Sequence, residues 1–359
     1  MRREMFAPAK GRLRCWSVVV LTFGLTVVAF AQSTAGTQVA PRSIDEESFV
    51  PIGGIDQWIT IKGDDQSNPV VLFLHGGPGD ALSPFADALF QGWKKDFTLV
   101  QWDQRGAGRT YTKNGTSTES IMTIERMVED GIEVTAYLTK HLNKKKIILE
   151  GGSWGSILGI YIAHTRPDLI YAYVGDAQIV NWQEDLFAGY SHVLDMARAA
   201  NDQEAIAALT GLGTPPWHSV SKWPVYRKWE RIFQAKIVTA PPAPTKISEK
   251  YGSAQERSQY EEADDFSFLH FWGRELSGPL TQVDLPSFAI DFSVPIFILQ
   301  GEEDLTASPV LAKCYFDAIT APQKYFVFVP GTGHEPSTTQ LETMYKVLIE
   351  RVRPLAVGR

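Results

Sequence analysis

The sequence Gly-Gly-Ser-Trp-Gly at residues 151–155 contains a side chain that could act as a nucleophile. It follows an apolar segment at 146–149 and precedes a segment with helical periodicity at 154–165. Glycines at these positions permit a sharp turn between a strand and a helix, which lifts the serine hydroxyl above the end of the strand. The pattern therefore predicts that Ser153 is a catalytic nucleophile, and a simple glycine-rich turn is the alternative.

A serine hydroxyl becomes a strong nucleophile only when a base takes its proton and a carboxylate orients that base. His334, in the sequence Gly-His-Glu after the last apolar segment, is the predicted base. Asp304 ends the sequence Gly-Glu-Glu-Asp after the preceding apolar segment, and it is the predicted acid. Its neighbours Glu303 and Glu302 are the alternatives. The order serine, acid, histidine is the one that accompanies a nucleophile on this kind of strand-to-helix turn.

Charge that develops on a substrate carbonyl oxygen must meet preorganised donors, commonly two backbone N–H groups. We predict that one donor of this oxyanion hole is the N–H of Trp154, directly after the nucleophile. The other lies in His-Gly-Gly-Pro-Gly at residues 75–79, where we assign it to Gly77. His75 is interpreted as a residue that braces this loop, and a second catalytic base is the alternative.

These residues need a scaffold that brings distant loops together, and the apolar pattern predicts one. Six short segments are almost entirely apolar, as strands buried on both faces of a parallel sheet are. Helical periodicity fills the intervals at 124–141 and 154–165. Alternating strands and helices predict an α/β fold with a mostly parallel, doubly wound sheet. The six predicted strands are residues 70–74, 97–102, 146–149, 171–174, 295–299 and 325–329.

The alternation stops between residues 181 and 285, so we predict a core at 45–180 and 286–359 with an inserted segment at 181–285. A helix start at Asn201, with Glu204 three residues later, is one sign that the insertion is helical. The concentration of aromatic side chains predicts a cap over the site. The alternative is that these side chains only pack the insertion onto the sheet. Five of the ten tryptophans lie there: Trp182, Trp217, Trp223, Trp229 and Trp272.

Six longer motifs follow one another along the chain. They are HGGPG at 75–79, WDQRGAGRT at 102–110, EDGIE at 129–133, GGSWGS at 151–156, GEED at 301–304 and GHE at 333–335. In this order they resemble the prolyl aminopeptidase (proline iminopeptidase) group of α/β-hydrolases, of serine peptidase type. The resemblance covers most of residues 50–180 and 290–335. It implies an α/β-hydrolase fold with an inserted helical cap, and an enzyme that removes an N-terminal residue, usually proline.

The resemblance further implies that carboxylates of the cap bind the free amine of the substrate. Trp229-Glu230 looks like the Trp-Glu element of the family, so Glu230 is the candidate amine-binding residue. A surface ion pair between Glu230 and a basic neighbour on its helix is the alternative. Where the family carries a second glutamate, this chain reads Phe-Leu-His at 268–270, and Asp264 or Asp265 could substitute for it.

Asp103, Arg105 and Arg109 lie in the WDQRGAGRT motif. We interpret them as a buried network of aspartate and arginine that fixes the loop beside the active site. Direct contact with the substrate is the alternative. Position 107 is alanine where many members of the resembled family have cysteine, so inhibition by thiol reagents is not expected.

Residues 1–31 have the features of a signal peptide, namely a basic start, an apolar run at 15–30 and the small-x-small pattern at 29–31. We therefore expect cleavage after Ala31 and an exported protein, periplasmic or secreted; an uncleaved anchor is the alternative. Loss of the segment's five basic residues and one glutamate would take the formal net charge from −7 to −11. Only Cys314 would remain of the cysteines, so no intramolecular disulfide is expected.

The function predicted from these residues is hydrolysis of a small-molecule or short-peptide substrate through an acyl-enzyme. An esterase, lactonase or amidase for a small apolar acyl substrate is the alternative enzyme, and a non-catalytic hydrolase-like binding protein is the alternative of another class. The acidic net charge argues against a nucleic-acid partner, and a stable membrane partner is expected only if the N-terminal segment is retained. The sequence has no metal-ligand spacing and no phosphate-cradling loop, so no metal or organic cofactor is expected.

Overall fold

The computed structural model describes residues 42–117 and 122–358. Its strands are β1 (Ile44–Ile52), β2 (Ile55–Gly63), β3 (Val70–Leu74), β4 (Thr98–Trp102), β5 (Ile147–Gly152), β6 (Ile170–Asp176), β7 (Ile296–Gly301) and β8 (Lys324–Val329). They form one sheet in the order β1-β2-β4-β3-β5-β6-β7-β8. The pairs β1–β2 and β2–β4 are antiparallel, and the neighbours from β4 to β8 are parallel.

The prediction of a mostly parallel α/β sheet is confirmed. Each of the six strands predicted from the apolar pattern is present, and no end differs from the predicted one by more than three residues. The largest difference is at β5, which continues through Gly152 to the turn that holds Ser153. The pattern ended this strand at residue 149 because Glu150 is charged and glycines follow it.

Helices cover both faces of the sheet. They are α1 (Ala86–Leu89), α2 (Gly108–Asn114), α3 (Ile124–His141), α4 (Trp154–Thr165), α5 (Trp182–Ala199), α6 (Gln203–Leu212), α7 (Trp223–Ile237), α8 (Ala254–Trp272), α9 (Leu285–Phe288), α10 (Pro309–Ala318), α11 (Thr338–Val347) and α12 (Arg353–Val357). Helices α3, α4 and α10 pack on one face, and α1 and α11 pack on the other.

Strand β3 shows how the sheet separates these two faces. Val70, Leu72 and Leu74 pack in the cluster that contains α3 and α4. Val71 and Phe73, which alternate with them, pack in the cluster that contains α1 and α11. Because successive side chains of a strand point to opposite faces, a strand covered on both faces is apolar throughout.

Helices α5 to α9 lie between β6 and β7, in the interval that contains the predicted insertion at 181–285. One predicted detail there is wrong. The N-cap of α6 is Asp202, whose side chain accepts a hydrogen bond from the N–H of Ala205, and not Asn201. Asn201 has a φ of 52°, so it takes the left-handed turn after α5 and the next residue caps the new helix.

Among the residues that the structure describes, no helix is long and apolar enough to cross a membrane. The predicted signal peptide at 1–31 lies outside the described residues. Export therefore stays a prediction. Cys314, the cysteine expected to remain after cleavage, is a free and exposed residue.

Candidate active site

Ser153 lies at the turn between β5 and α4, where the strand ends and the helix begins. Its φ of 51° and ψ of −118° are a strained combination for a residue with a side chain. The tight packing around the turn requires glycine at position 155, because a Cβ there would overlap the carbonyl group of Leu74 in β3. The glycines of the motif therefore allow α4 to pack closely against β3 and also allow the sharp turn at Ser153.

The structure brings Ser153, His334 and Asp304 together from three separate strand ends. The Oγ of Ser153 lies 3.0 Å from the Nε2 of His334. The Nδ1 of His334 lies 3.1 Å from Oδ1 and 3.0 Å from Oδ2 of Asp304. This arrangement leaves Nε2 free to accept the serine proton while Nδ1–H donates to the carboxylate.

Asp304 is held in place by donors as well as by the imidazole. Its Oδ1 accepts hydrogen bonds of 2.8 Å from the backbone N–H groups of Thr306 and Ala307. Its Oδ2 accepts one of 3.1 Å from Gln300. Of the three acids in the loop, Asp304 is the one that contacts His334 in the described part of the chain, whereas Glu302 is exposed.

We expect kcat/KM to fall as the pH is lowered, with a midpoint above the histidine reference value of 6.5. Only a neutral imidazole can accept the serine proton. Burial lowers the pKa of His334, but the charge of Asp304 and its hydrogen bond outweigh burial and raise the pKa to about 9. The profile is measured with a neutral aryl ester, which has no titratable group of its own. An acid limb centred at or below 6.5 would contradict the raised pKa of His334, and a profile with no acid limb down to about pH 4 would contradict the assignment of a histidine base.

One predicted oxyanion donor is on the residue after the nucleophile, and the other is on a loop that passes close to it. Trp154 is the first residue of α4, so its N–H has no carbonyl of the helix to bind. The loop at 75–79 runs past Ser153 closely enough that a Cβ on Gly76 would be 3.4 Å from the Cβ of Ser153. Gly77, the next residue, has a φ of 103°, which a residue with a side chain rarely adopts.

His75 contacts the loop and not Ser153. Its Nε2 accepts a hydrogen bond of 3.2 Å from the backbone N–H of Gln104, and its Nδ1 donates to the carbonyl of Gly76 at 2.9 Å. The Gln104 side chain then bridges the carbonyl of His75 to the indole of Trp154. Burial lowers the pKa of His75 to about 4, so the ring is neutral near pH 7. These contacts favour the bracing role over that of a second base.

The predicted network of aspartate and arginine includes a partner from outside the motif. Arg105 does not pair with Asp103; its Nε lies 2.7 Å from Oδ2 of Asp130 in α3, and both side chains are fully buried. Asp103 instead accepts hydrogen bonds from the hydroxyl of Ser83 at 2.6 Å and the backbone N–H of Arg109 at 2.9 Å. All of these contacts fix the backbone of the loop, so the structural interpretation is favoured over substrate contact.

A cavity of about 460 Å³ opens above Ser153 and His334 and is bounded by both the core and the insertion. Trp182, Trp223 and Trp272 line it. Trp217 and Trp229 do not; they are buried within the insertion at 2% and 5% exposure. Both interpretations of the tryptophan cluster therefore apply, since three of these side chains form a wall of the cavity and two pack the cap.

Glu230 is neither at the cavity wall nor at the surface. It is 2% exposed and lies in α7, where its carboxylate accepts hydrogen bonds from Arg227 and from the hydroxyl of Thr306. Lys228 pairs with Glu204 instead. With its carboxylate already engaged, Glu230 is poorly placed to bind an amine. The ion pair with Arg227 that was the alternative is present, but Glu230 itself is buried and not at the surface.

Other carboxylates do line the cavity in the described part of the chain. Asp264 is one of the two substitutes predicted for the missing glutamate, and it lies against the loop at 75–79. Burial raises the pKa of Asp264 to about 6, and the charge of Asp80 adds to the effect. Asp265, the other substitute, is exposed. The acidic residues of the cavity wall are Asp80, Glu150, Asp176, Asp264 and Glu335.

Of these five acids, only Asp264 was predicted as a candidate site residue; Glu150 and Asp176 are two of the four that were not. Each comes at the carboxyl end of an apolar strand, which is where ligand sites lie in parallel sheets. A single carboxylate at the end of an otherwise apolar strand was the signal that would have identified them.

Comparison with known proteins identifies the family to which the chain belongs. The family described as alpha/beta hydrolase fold matches residues 69–339. The chain belongs to this family and is a hydrolase. The resemblance to prolyl aminopeptidases is also confirmed, because proteins of that name are among its relatives.

Three relatives illustrate this similarity. A probable aminopeptidase of Bacillus subtilis (strain 168) is 29% identical over 295 residues, which are 82% of this chain and 92% of the relative. A proline iminopeptidase of Clostridioides difficile (strain 630) is 24% identical over 85% of this chain and 97% of its own. The crystal structure of a proline iminopeptidase from Mycobacterium smegmatis has a TM-score of 0.61 at 18% identity, and the match covers 87% of this chain and 99% of that one. That structural likeness supports the fold alone.

Proposed function

We propose that the protein is a serine aminopeptidase of prolyl aminopeptidase type, which works through an acyl-enzyme. The observation that carries the proposal is the hydrogen-bonded series Ser153–His334–Asp304 at the base of a cavity with carboxylates in its wall. A nucleophile, a base and an orienting acid are what acyl transfer requires. Acidic side chains near them suit a substrate with a free N-terminal ammonium group.

The proposed reaction has two halves. Ser153 Oγ attacks the carbonyl carbon of the N-terminal residue while His334 Nε2 takes the hydroxyl proton, and the N–H groups of Gly77 and Trp154 bind the oxyanion. The C–N bond then breaks as His334 gives its proton to the leaving amine. In the second half water loses a proton to His334 and attacks the ester, and the released amino acid leaves Ser153 with its proton restored. Asp304 holds the imidazole in the required tautomer throughout.

In this proposal the ammonium of the substrate binds to Asp264 in place of Glu230. Asp264 reaches the cavity from α8 and lies beside the loop that carries Gly77. Asp80, on the same loop, accepts a hydrogen bond from Tyr260 and adds negative charge. An ammonium held here would lie close to the carbonyl that the oxyanion donors bind, as an aminopeptidase requires.

We expect prolyl and alanyl arylamides to be hydrolysed and their N-acetyl derivatives to react at least about 30-fold more slowly in kcat/KM, because acetylation removes the charge that Asp264 binds. In Asp264→Asn this preference for the free amine should fall by about tenfold or more. The neighbouring and exposed Asp265→Asn is the matched control and should keep the preference. Equal rates on free and acetylated substrates would contradict the aminopeptidase proposal and favour an esterase or amidase.

A further inference from the structure

The active-site cavity has an arm on the face of the sheet that α1 and α11 cover. Glu150 follows Ile148 by two positions in β5, and Asp176 follows Val174 by two in β6. Ile148 and Val174 pack on the face with α1 and α11, and side chains two apart in a strand share a face. Glu150 and Asp176 therefore point to that face, and both line the cavity. We call this region the acid arm; its other lining residues are Leu89, Phe90, Gln340, Leu341 and Met344.

Glu150 is exceptional among the buried carboxylates. The residue is 4% exposed, yet among the hydrogen bonds and ion pairs of the described residues its carboxyl group takes part in none. Buried carboxyl groups are ordinarily paired or hydrogen-bonded, because an isolated charge in apolar surroundings is costly. A group that enters through the cavity is placed to supply the partner that the chain does not.

The two carboxyl groups of the acid arm raise each other's pKa values. Burial raises the pKa of Glu150 well above its usual value, and the charge of Asp176 raises it further. Burial likewise raises the pKa of Asp176 to about 6, although Gln340 donates a hydrogen bond to it. Two carboxyl groups in one apolar pocket disfavour each other's ionisation, and a cation between them relieves the repulsion.

We propose that the acid arm binds a primary ammonium group at the end of an aliphatic chain, as in an N-terminal lysine or ornithine residue. Leu89, Phe90 and Met344 offer apolar walls to a methylene stem, while Glu150 and Asp176 accept from the ammonium head, which has three donors. This subsite rests on the proposed function, because it is stated for the acyl residue that Ser153 attacks.

The position of Glu150 suits this length of side chain. Glu150 precedes Ser153 by three residues, so their Cα atoms are at most about 10 Å apart. The four-carbon stem of lysine and the glutamate side chain are together long enough to span that distance. An acyl residue on Ser153 can therefore place its side-chain ammonium beside Glu150 while its α-ammonium remains with Asp264.

The test compares lysyl and norleucyl arylamides, whose side chains differ by the terminal ammonium. The expected kcat/KM ratio in the wild-type enzyme is at least about 30 in favour of lysine. In Glu150→Gln, which keeps the size of the side chain, this ratio should fall by at least about tenfold. The exposed Glu302→Gln removes a charge outside the acid arm and should keep the wild-type ratio. Equal rates on the two substrates in the wild-type enzyme, or an unchanged ratio in Glu150→Gln, would overturn the subsite and leave the aminopeptidase proposal standing.

A binding measurement separates the subsite from catalysis. Calorimetric titration of the Ser153→Ala protein with n-pentylammonium should give an affinity at least about tenfold higher than with 1-pentanol. Adding Glu150→Gln to that background should remove the difference. This result is expected even if aminoacyl arylamides prove to be poor substrates. Equal affinity for the two probes in Ser153→Ala would overturn the proposal, whatever the enzyme hydrolyses.

Discussion

Replacing Ser153 with alanine is expected to lower kcat by at least about 10³-fold, because residues of such a catalytic unit depend on one another. The Oγ of Ser153 is the atom within hydrogen-bond distance of His334 Nε2, and alanine has no nucleophile to offer the base. The fold should remain, since the side chain contributes little to packing at the open base of the cavity. The measurement is steady-state hydrolysis of an aryl ester beside a thermal unfolding scan.

The exposed Ser287→Ala in α9 is the matched control and should keep wild-type turnover. A Ser153→Ala enzyme with more than about a tenth of wild-type activity would exclude Ser153 as the nucleophile, because that loss is near 1.4 kcal/mol and far below the value of a covalent step. The same loss of activity accompanied by a lower unfolding temperature would instead indicate a damaged fold, and the thermal scan distinguishes the two.

Asp304→Asn is expected to lower kcat/KM by about 10³- to 10⁴-fold, through loss of the tautomer that leaves His334 Nε2 unprotonated. The two backbone N–H groups that donate to Oδ1 of Asp304 would, in the variant, donate to the amide oxygen of asparagine. The NH2 group of asparagine would then face Nδ1 of His334. Nδ1 would then become the acceptor and Nε2 would carry the proton. The expected effect is therefore on chemistry and not on substrate binding, and it should appear in kcat.

Glu303→Gln is the control for Asp304→Asn, because it neutralises the preceding acid of the same loop. The structure uses the backbone carbonyl of Glu303, which accepts a hydrogen bond from Gln234, and this carbonyl is unchanged in glutamine. We expect an effect below about threefold, or less than 1 kcal/mol. The opposite ranking of the two variants would assign the orienting acid to Glu303.

The parts of the fold that could be predicted are those fixed by short-range patterns. Buried parallel strands are apolar on both faces, so segments such as 70–74 are recognisable without knowledge of their neighbours. The same holds for the elbow, where a strand, two glycines and a helix are consecutive in sequence. Because Ser153, Asp304 and His334 each follow a strand end, the sheet alone brings them to one edge.

The parts that could not be predicted depend on contacts between distant residues. The partner of Arg105 was not identified, because that partner, Asp130, lies in α3 and outside the motif that contains Arg105. Glu230 was placed in the correct helix, but periodicity does not say which face of a cap helix meets the cavity. In the structure, the carboxylate of Glu230 contacts the hydroxyl of Thr306. Glu150 was not identified as a site residue, because its role depends on which face of β5 borders the cavity.

The cap is where specificity has to be established, and it is also where sequence carries least information. Its helices begin at recognisable caps such as Asn181, whose side chain accepts from the N–H groups of Gln183 and Glu184. The angles between those helices depend on packing among aromatic side chains, including Trp182 against Trp272. The position of Asp264 at the cavity, and of Glu230 away from it, follows from that packing and not from any local motif.

The most direct test of the central claim is labelling with a fluorophosphonate, which reacts with an activated serine and forms a stable adduct in place of the acyl-enzyme. Peptide mapping of the labelled protein should place one adduct on Ser153, and hydrolytic activity should fall in proportion to the labelled fraction. Asp304→Asn should label slowly, because the same base activates the same hydroxyl toward both reagents. Labelling at Ser153 with loss of activity is the predicted result; full activity after exposure to excess reagent, or an adduct confined to another residue, would contradict a serine hydrolase mechanism at this site.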